Sequence, residues 1–196
     1  MTDTQPSVDR TLDCLGLSCP MPVIRTKKAM EDMRPGQVLE VLATDPGSVA
    51  DVKSWTVRVG HQFIGTTAGD SVFRHYIRKS DPREVSIEIV HPDRVTNADL
   101  LALLPKDIAI LDVREPMEYA FGHIPGARLA PLGMLEELIP DLEHLRAADV
   151  YVICRSGSRS DAACQILRRR GFARVHNVVP GMHAWSGPLD AEGGRG

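Results

Sequence analysis

The stretch VYVICRSGSRSDAACQILRRRG, residues 150–171, places a cysteine between a strand pattern and a helix pattern. Its first four residues are apolar and mostly β-branched, which predicts a buried strand. A run of Ser, Gly and Arg follows Cys154, and the helix pattern after it ends at Gly171. Sites in open α/β sheets form at the carboxyl ends of strands, so this order predicts a functional site at Cys154.

The loop after Cys154 has the composition of an anion-binding cradle. Successive backbone N–H groups in such a loop can point inward, and the helix that follows adds its N-terminus. Arg155 and Arg159 add full positive charge to the same loop. We therefore expect the loop to stabilise both a thiolate at Cys154 and an anion bound above it.

The spacing between Cys154 and Arg159 separates two kinds of cysteine enzyme. Protein phosphatases and arsenate reductases place five residues between their cysteine and arginine, so that the guanidinium forks onto phosphate oxygens. Here four residues intervene, and the fifth position after Cys154 is already the arginine. The shorter loop fits a single sulfur atom on the thiolate better than a tetrahedral phosphate.

Residues 84–189 resemble the rhodanese family in three places. The loop is similar to the family's active-site loop. The stretch LDVREPMEYAFGHIPGA (111–127) is similar to the family's second signature motif. The stretch NVVPGMHAW (177–185) resembles the family's C-terminal motif, with Pro180 where glycine is common. The resemblance implies a rhodanese-type sulfurtransferase, in which Cys154 is the catalytic nucleophile and becomes a persulfide. It assigns Asp112 and Arg114 to supporting structure. The residues that it implies for binding the donor anion and the persulfide are Arg155, Ser156, Gly157, Ser158, Arg159 and Ser160.

A second cysteine stands at the start of a helix pattern in GLSCPMPVIRTKKAM, residues 16–30. Pro20 and Pro22 fit the first turn of a helix, where backbone N–H groups have no intrahelical partner. Cys19 then lies beside the positive end of the helix dipole, which favours a thiolate. We expect the prolines to hold this cysteine outward, and the basic side chains of the helix to steer acidic partner surfaces.

This region resembles the TusA (SirA-like) family of sulfur carriers. The resemblance rests on LDCLGLSCPMPVIRTKKAM (12–30), which contains the family's Cys-Pro-x-Pro motif, and on VLATDPGSVADVKSW (41–55). It implies that Cys19 is the carrier thiol and holds a persulfide exposed at the helix N-terminus.

The chain has 196 residues, and two different patterns divide it into predicted domains at 1–82 and 83–196. The first domain predicts a β-α-β-α-β-β order, a small two-layer α/β sandwich with helices over 20–33 and 47–59. We name Asp45 and Ser48 as candidate caps of the second helix.

The second domain alternates strands with helices, which predicts a rhodanese-like doubly wound parallel sheet. We predict a strand over 85–90, a helix over 97–104 capped by Asn97, and a longer helix over 133–145 that is interrupted by Pro140.

Composition excludes several classes of function. The net charge is −3 and aromatic residues make up 5%, which argues against nucleic-acid binding. No apolar run is long enough for a membrane span, and the first ten residues lack a signal pattern, so we predict a cytoplasmic protein without membrane partners. The histidines and cysteines lack zinc-ligand spacing, and we expect neither a metal nor a cofactor.

Four cysteines without a CxxC pair favour free thiols over disulfides. Cys14 and Cys164 are expected to be small buried residues, with a resolving role for Cys14 as the alternative. His123 is interpreted as a turn residue, and Trp55 and Trp185 as core anchors.

Two functional hypotheses follow. In the first, the chain is a sulfurtransferase: Cys154 takes sulfane sulfur from thiosulfate or a persulfide, exchanges it with Cys19 in either direction, and works with other sulfur-transfer proteins. In the second, it is a redox-sensing regulatory or scaffold module without turnover. The first hypothesis predicts persulfides, and the second predicts sulfenate or disulfide.

Overall fold

Alternating apolar residues build a four-stranded sheet in the N-terminal part of the chain. A computed structural model describes residues 7–81 and 89–191, which form two separate units. The elements of the first unit are β1 (Arg10–Cys14), α1 (Met21–Glu31), β2 (Val38–Ala43), α2 (Ser48–Arg58), β3 (Gln62–Gly69) and β4 (Val72–Arg78). The strand order is β1-β2-β4-β3, with β1 parallel to β2 and the other pairs antiparallel. The predicted two-layer order is confirmed.

The core of this unit lies between the sheet and its two helices. Leu39 and Val41 alternate along β2 and are fully buried, and Met30 of α1 and Trp55 of α2 are buried against them. Burying a side chain of this size stabilises a fold by about 1.5–3 kcal/mol. The core therefore fixes α1 and α2 on the sheet, and with them the segments that precede each helix.

The second unit is a five-stranded parallel sheet. Its elements are β5 (Arg94–Thr96), α3 (Asn97–Leu103), β6 (Ala109–Asp112), α4 (Pro116–Phe121), β7 (Arg128–Leu129), α5 (Leu135–Leu138), β8 (Asp149–Ile153), α6 (Ser158–Arg169) and β9 (Arg174–Val179). The strand order β5-β9-β8-β6-β7 places β8 in the centre, which confirms the predicted doubly wound sheet. Short 3₁₀ helices span Leu132–Met134, Ile139–Leu145 and Met182–Ala184.

Several local predictions are corrected. Thr96, not Asn97, caps α3, because its hydroxyl accepts the Asp99 N–H at 3.1 Å while the Asp99 carboxylate accepts the Thr96 N–H at 2.9 Å. The helix predicted over 133–145 is only one α turn followed by a 3₁₀ helix, since Pro140 cannot donate an intrahelical bond.

The predicted domain boundary at 82/83 lies outside the described residues. Most of the strand predicted over 85–90 also lies outside them. Its last two residues, Ile89 and Val90, are described and are not in a strand. Within 7–81 and 89–191, the structure contains no helix both long and apolar enough to cross a membrane.

Candidate active site

Cys154 follows directly on the central strand β8 and is 0% exposed. Its Sγ accepts a hydrogen bond from the Gly157 N–H at 3.1 Å, and the Ser160 hydroxyl lies 3.4 Å away. The loop therefore curls around the sulfur as its composition predicted.

Gly157 makes this curl sterically feasible. It has φ +99°, a backbone conformation that residues with a side chain rarely adopt. A Cβ atom here would lie 2.8 Å from Val179 Cγ1 and 3.1 Å from Ile89 Cδ1. A glycine is thus required both for the turn and for the close approach of the neighbouring side chains.

The segment after β9 carries the other side of the loop. The Cys154 carbonyl accepts the Met182 N–H at 2.9 Å, and the Arg155 carbonyl accepts the His183 N–H at 3.0 Å. His183 Nδ1 also lies 2.9 Å from the Arg155 carbonyl. Because the Cys154 and Arg155 carbonyls both accept hydrogen bonds from this segment, their peptide units are held in a fixed orientation. The NVVPGMHAW stretch is therefore part of the site's support.

The two arginines of the loop have different environments, which corrects the expectation that both add free charge. Arg159 is 5% exposed, and its guanidinium donates to the Glu118 carboxylate at 2.7 and 2.9 Å. Its charge is therefore balanced inside the protein. Arg155 is exposed and supplies the accessible positive charge of the loop.

The predicted serines lie at the start of α6. Ser156 is exposed and Ser158 is buried, with their hydroxyl oxygens 3.4 Å apart. Since α6 begins at Ser158, its N-terminus lies at the loop, as predicted. All six loop residues predicted for anion binding are thus together around Cys154, although Arg159 is directed to Glu118.

A buried polar cluster, which we name the Asn177 cluster, lies beneath the loop and consists of Ser160, Asn177, Asp161 and His91. Ser160 Oγ is 2.6 Å from Asn177 Oδ1, and Asn177 Nδ2 is 3.5 Å from Asp161 Oδ1. The Asp161 carboxylate accepts a hydrogen bond from the backbone N–H of His91 at 2.8 Å. Asn177 was missed by sequence reasoning, although a single amide within the apolar end of RVHNVV is a signal for a buried hydrogen-bonding role.

Asp112 and Arg114 form a separate buried pair. The Arg114 guanidinium donates to both Asp112 oxygens, at 2.6 Å in its shortest contact, and to the Gly122 carbonyl at 2.8 Å. The pair ties the end of β6 to the end of α4. This geometry suits the supporting role that the resemblance implies.

Cys19 lies in a different environment. It is exposed, immediately before Pro20 and α1. The pKa of its thiol is raised, chiefly because Asp51 shares a hydrogen bond with it, and also because Asp51 and Asp45 are negatively charged. The direction of this shift is opposite to the one predicted from the helix dipole, because two carboxylates from a neighbouring segment lie close to the thiol.

Asp45 holds the backbone beside this thiol. Its carboxylate accepts the Cys19 N–H at 3.2 Å and the Gly47 N–H at 3.2 Å. Its carbonyl accepts the Ser48 hydroxyl at 2.6 Å. Neither Asp45 nor Ser48 caps α2 through its side chain, which corrects the capping prediction. Asp45 instead links the start of α2 to the cysteine before α1.

The remaining cysteines are packed in the two cores. All four cysteines are free thiols, as predicted, and Cys14 and Cys164 are both 0% exposed. Burial raises the pKa of each of these two thiols, which suits packing rather than reaction. His123 stacks on Tyr119 and pairs its backbone with Asp190, in line with a turn residue.

Trp55 is buried in the core of the first unit. Trp185 is partly buried and packs against a hydrophobic cluster of the second unit that includes Leu100 and Ile124. Both tryptophans therefore fit the predicted role of core anchors. Across 7–81 and 89–191, no three His, Cys, Asp or Glu side chains are grouped so as to hold a metal ion.

Known proteins match both halves of the chain. Residues 10–79 match the family described as Sulfurtransferase TusA, and residues 96–188 match the Rhodanese-like domain family. A proposed sulfur carrier protein of Bacillus subtilis, YrkF, is 42% identical over 184 residues, covering 91% of this chain and 96% of that protein. The chain belongs to this family of two-domain sulfur carriers and sulfurtransferases.

Single-domain relatives match each half separately. Sulfur carrier protein TusA of Allochromatium vinosum is 42% identical over 72 residues, which is 37% of this chain and 95% of that protein. The solved structure of a rhodanese-like domain protein from Staphylococcus aureus is 33% identical in sequence, with a TM-score of 0.45. The match covers 52% of this chain and 99% of that chain. Because the two family matches cover residues 10–79 and 96–188, Cys19 lies in the TusA domain and Cys154 in the rhodanese-like domain.

Proposed function

We propose that this TusA–rhodanese protein is a sulfur relay. Cys154 is the catalytic nucleophile that takes sulfane sulfur from thiosulfate or from a low-molecular-weight persulfide. Cys19 is the carrier thiol that exchanges this sulfur with Cys154 and passes it to other sulfur-transfer proteins.

The observation that carries the proposal is the hydrogen bond from the Gly157 N–H to the Cys154 sulfur at 3.1 Å, within a loop that ends at the start of α6. A donor aimed at sulfur stabilises negative charge there, whether on the attacking thiolate or on the departing one. The exposed Arg155 guanidinium supplies attraction for an anionic donor.

The loading step is a displacement at sulfur. The Cys154 thiolate attacks the outer sulfur of thiosulfate, a new S–S bond forms, and the S–S bond of thiosulfate breaks. Sulfite leaves with the bonding electron pair, and Cys154 holds a persulfide. The proton of the Cys154 thiol goes to water before the attack.

The exchange step is thiol–disulfide chemistry. The Cys19 thiolate attacks the outer sulfur of the Cys154 persulfide, and Cys154 leaves as a thiolate stabilised by the Gly157 N–H. One S–S bond replaces another, so no external oxidant is needed. The proton of the Cys19 thiol goes to water before the attack.

The basic face of α1 supports transfer to further proteins. Arg25, Lys27 and Lys28 are exposed on the helix that follows Cys19. Positive charge near the carrier thiol favours partners with acidic surfaces around their own cysteine.

Intact-mass spectrometry after incubation with thiosulfate tests the function. We expect a gain of about 32 Da, one sulfur atom in the persulfide form, mapped to Cys154 and, after exchange, to Cys19. Cys154→Ser is expected to abolish both gains. Cys164→Ala is the matched control, because it removes a buried cysteine of the same domain and should still load.

Oxygen adducts or a disulfide without added sulfur would overturn the proposal and favour the redox-sensing alternative. Loading of Cys19 at the normal rate in Cys154→Ser would also contradict it, since Cys154 would then not be the entry point.

A further inference from the structure

Among the residues that the structure describes, two groups form hydrogen bonds with the Cys154 sulfur, and they differ in how freely the donor hydrogen can be reoriented. The Gly157 N–H, 3.1 Å from Sγ, has a direction fixed by the peptide plane. The Ser160 hydroxyl, 3.4 Å from Sγ, rotates about its Cβ–Oγ bond and carries a single proton. What Ser160 contributes to the sulfur therefore depends on where that proton points.

Asn177 provides the nearest acceptor for the Ser160 hydroxyl proton. Ser160 Oγ lies 2.6 Å from Asn177 Oδ1, against 3.1 Å from the Gly157 carbonyl and 3.4 Å from Cys154 Sγ. Two oxygens at 2.6 Å require a hydrogen between them, and Asn177 Oδ1 has none to give. The Ser160 proton is therefore directed to Asn177, and an oxygen lone pair faces the sulfur.

The orientation of the Asn177 amide is itself fixed by its surroundings. Its Nδ2 lies 3.1 Å from the Gly157 carbonyl and 3.5 Å from Asp161 Oδ1, both of which are acceptors. A reversed amide would place Oδ1 against these two acceptors. Asn177 is 0% exposed, so its amide is not in contact with bulk solvent.

The two charge states of the sulfur require different positions of the proton. A protonated Cys154 donates its S–H to the Ser160 oxygen, and the proton of Ser160 stays on Asn177. A thiolate is stabilised by a second donor beside the Gly157 N–H, and Ser160 supplies it when its proton turns from Asn177 to the sulfur. Asn177 and the Cys154 sulfur thus compete for one proton.

We propose that Asn177 is a positioning residue that directs the single hydroxyl proton of Ser160, and through it sets the balance between thiol and thiolate at Cys154. Its functional consequence rests on the proposed role of Cys154 as nucleophile. When Cys154 departs as a thiolate, Ser160 turns to it, and when water reprotonates the sulfur, Ser160 returns to Asn177.

Other charged or titratable groups surround the same region. Arg155 is exposed, Arg159 is balanced by Glu118, and Asp161 is held by the His91 N–H. Among the described residues, the packed elements also contribute Cys164 of α6 and His183, which contacts the Arg155 carbonyl. Asn177→Ala removes the Nδ2 contact of Asp161 as well as the acceptor of Ser160. An effect through Asp161 persists in a Ser160→Ala background, so the double-mutant cycle separates it from an effect through Ser160.

Alkylation of Cys154 tests the proposal without any sulfur donor. The rate of iodoacetamide modification of the full-length Cys19→Ser chain is followed from pH 5 to 10, with the product mapped to Cys154. Ser160→Ala is expected to slow the reaction at pH 7 about tenfold, because the thiolate loses a hydrogen bond. Asn177→Ala is expected to accelerate it several-fold, because the Ser160 proton is released to the sulfur.

The deciding comparison is a double-mutant cycle. In a Ser160→Ala background, Asn177→Ala is expected to have no further effect on the pH profile. An equal effect of Asn177→Ala with and without Ser160, or a slower reaction in Asn177→Ala itself, would overturn the proposal, since Asn177 would then act through loop packing. If Asn177→Ala is unfolded by circular dichroism, Asn177→Leu, which refills the volume, takes its place in the cycle.

A failure of the sulfur relay leaves this result unchanged, because alkylation needs no sulfane sulfur. Conversely, normal thiosulfate loading with no coupling between Ser160 and Asn177 would refute only the positioning role.

Discussion

The two cysteines that the sequence singles out share a position before a helix, yet their surroundings are opposite. Cys154 is buried, and its sulfur faces the Gly157 N–H and the Ser160 hydroxyl. Cys19 is exposed and faces the carboxylates of Asp45 and Asp51. A helix start alone therefore does not decide the chemistry of a cysteine; the donors or carboxylates contributed by other segments do.

This contrast matches the demands of the two proposed roles. A nucleophile that must also be a leaving group benefits from donors that hold its negative charge. A carrier must remain unreactive until it meets a partner, and nearby carboxylates favour its protonated form. Substitutions around the two cysteines test this difference.

The largest effect is expected at the loop of Cys154. Gly157→Ala forces a side chain into a left-handed conformation and against Val179, at 2.8 Å. We expect the loop to shift and thiosulfate sulfurtransferase activity to fall roughly a hundredfold, because small misplacements of reacting groups have effects of this size. Steady-state assays on the full-length protein measure it.

Gly133→Ala is the matched control for this variant, since a Cβ there meets no atom within 4 Å. It is expected to retain normal activity. Unchanged activity in Gly157→Ala would refute the role given to the turn.

The next effect concerns the ion pair that supports the loop. Glu118→Gln removes the negative charge opposite the buried Arg159 and is expected to lower the free energy of unfolding by about 3 kcal/mol. Urea denaturation followed by circular dichroism measures the change. The surface pair of Glu143 with Arg146 provides the control, because Glu143→Gln is expected to leave the free energy of unfolding nearly unchanged. Equal losses in both variants would argue against a specific role for the buried pair.

The smallest effect is expected at Cys19. Asp51 favours the protonated thiol through its hydrogen bond and its charge, so Asp51→Asn lowers the pKa of Cys19 and increases the thiolate fraction at pH 7. Alkylation of Cys19 at that pH is expected to become several-fold faster. Asp32→Asn, an exposed carboxylate at the end of α1, is the control and should leave the rate unchanged. A slower reaction in Asp51→Asn would reverse the assigned sign.

What the sequence predicts well is local. The Cys154 loop, its glycine and the helix after it are consecutive residues, so composition and spacing were enough to place them together. The alternation of strands and helices likewise predicted both sheets. The family resemblances, carried by short motifs around each cysteine, agree with the matches to known proteins.

What the sequence does not predict is contact between distant segments. Arg159 turns to Glu118 because α4 brings that carboxylate beside the loop, and Ser160 meets Asn177 because β9 lies next to β8. Cys19 was expected to be acidic from its own helix, whereas the start of α2 reverses the direction of its pKa shift. Each of these three misses is a long-range electrostatic or hydrogen-bonding partner, whereas the misplaced cap of α3 is a local error of one residue.

The most direct measurement of the central claim uses two variants of the full chain. Cys19→Ser is loaded with thiosulfate, freed of excess donor, and mixed with Cys154→Ser, which retains Cys19. We expect peptide mass spectrometry to show that Cys154 of the first chain loses one sulfur while Cys19 of the second gains about 32 Da. A persulfide that stays on Cys154, with Cys19 unmodified throughout, would contradict a relay between the two thiols.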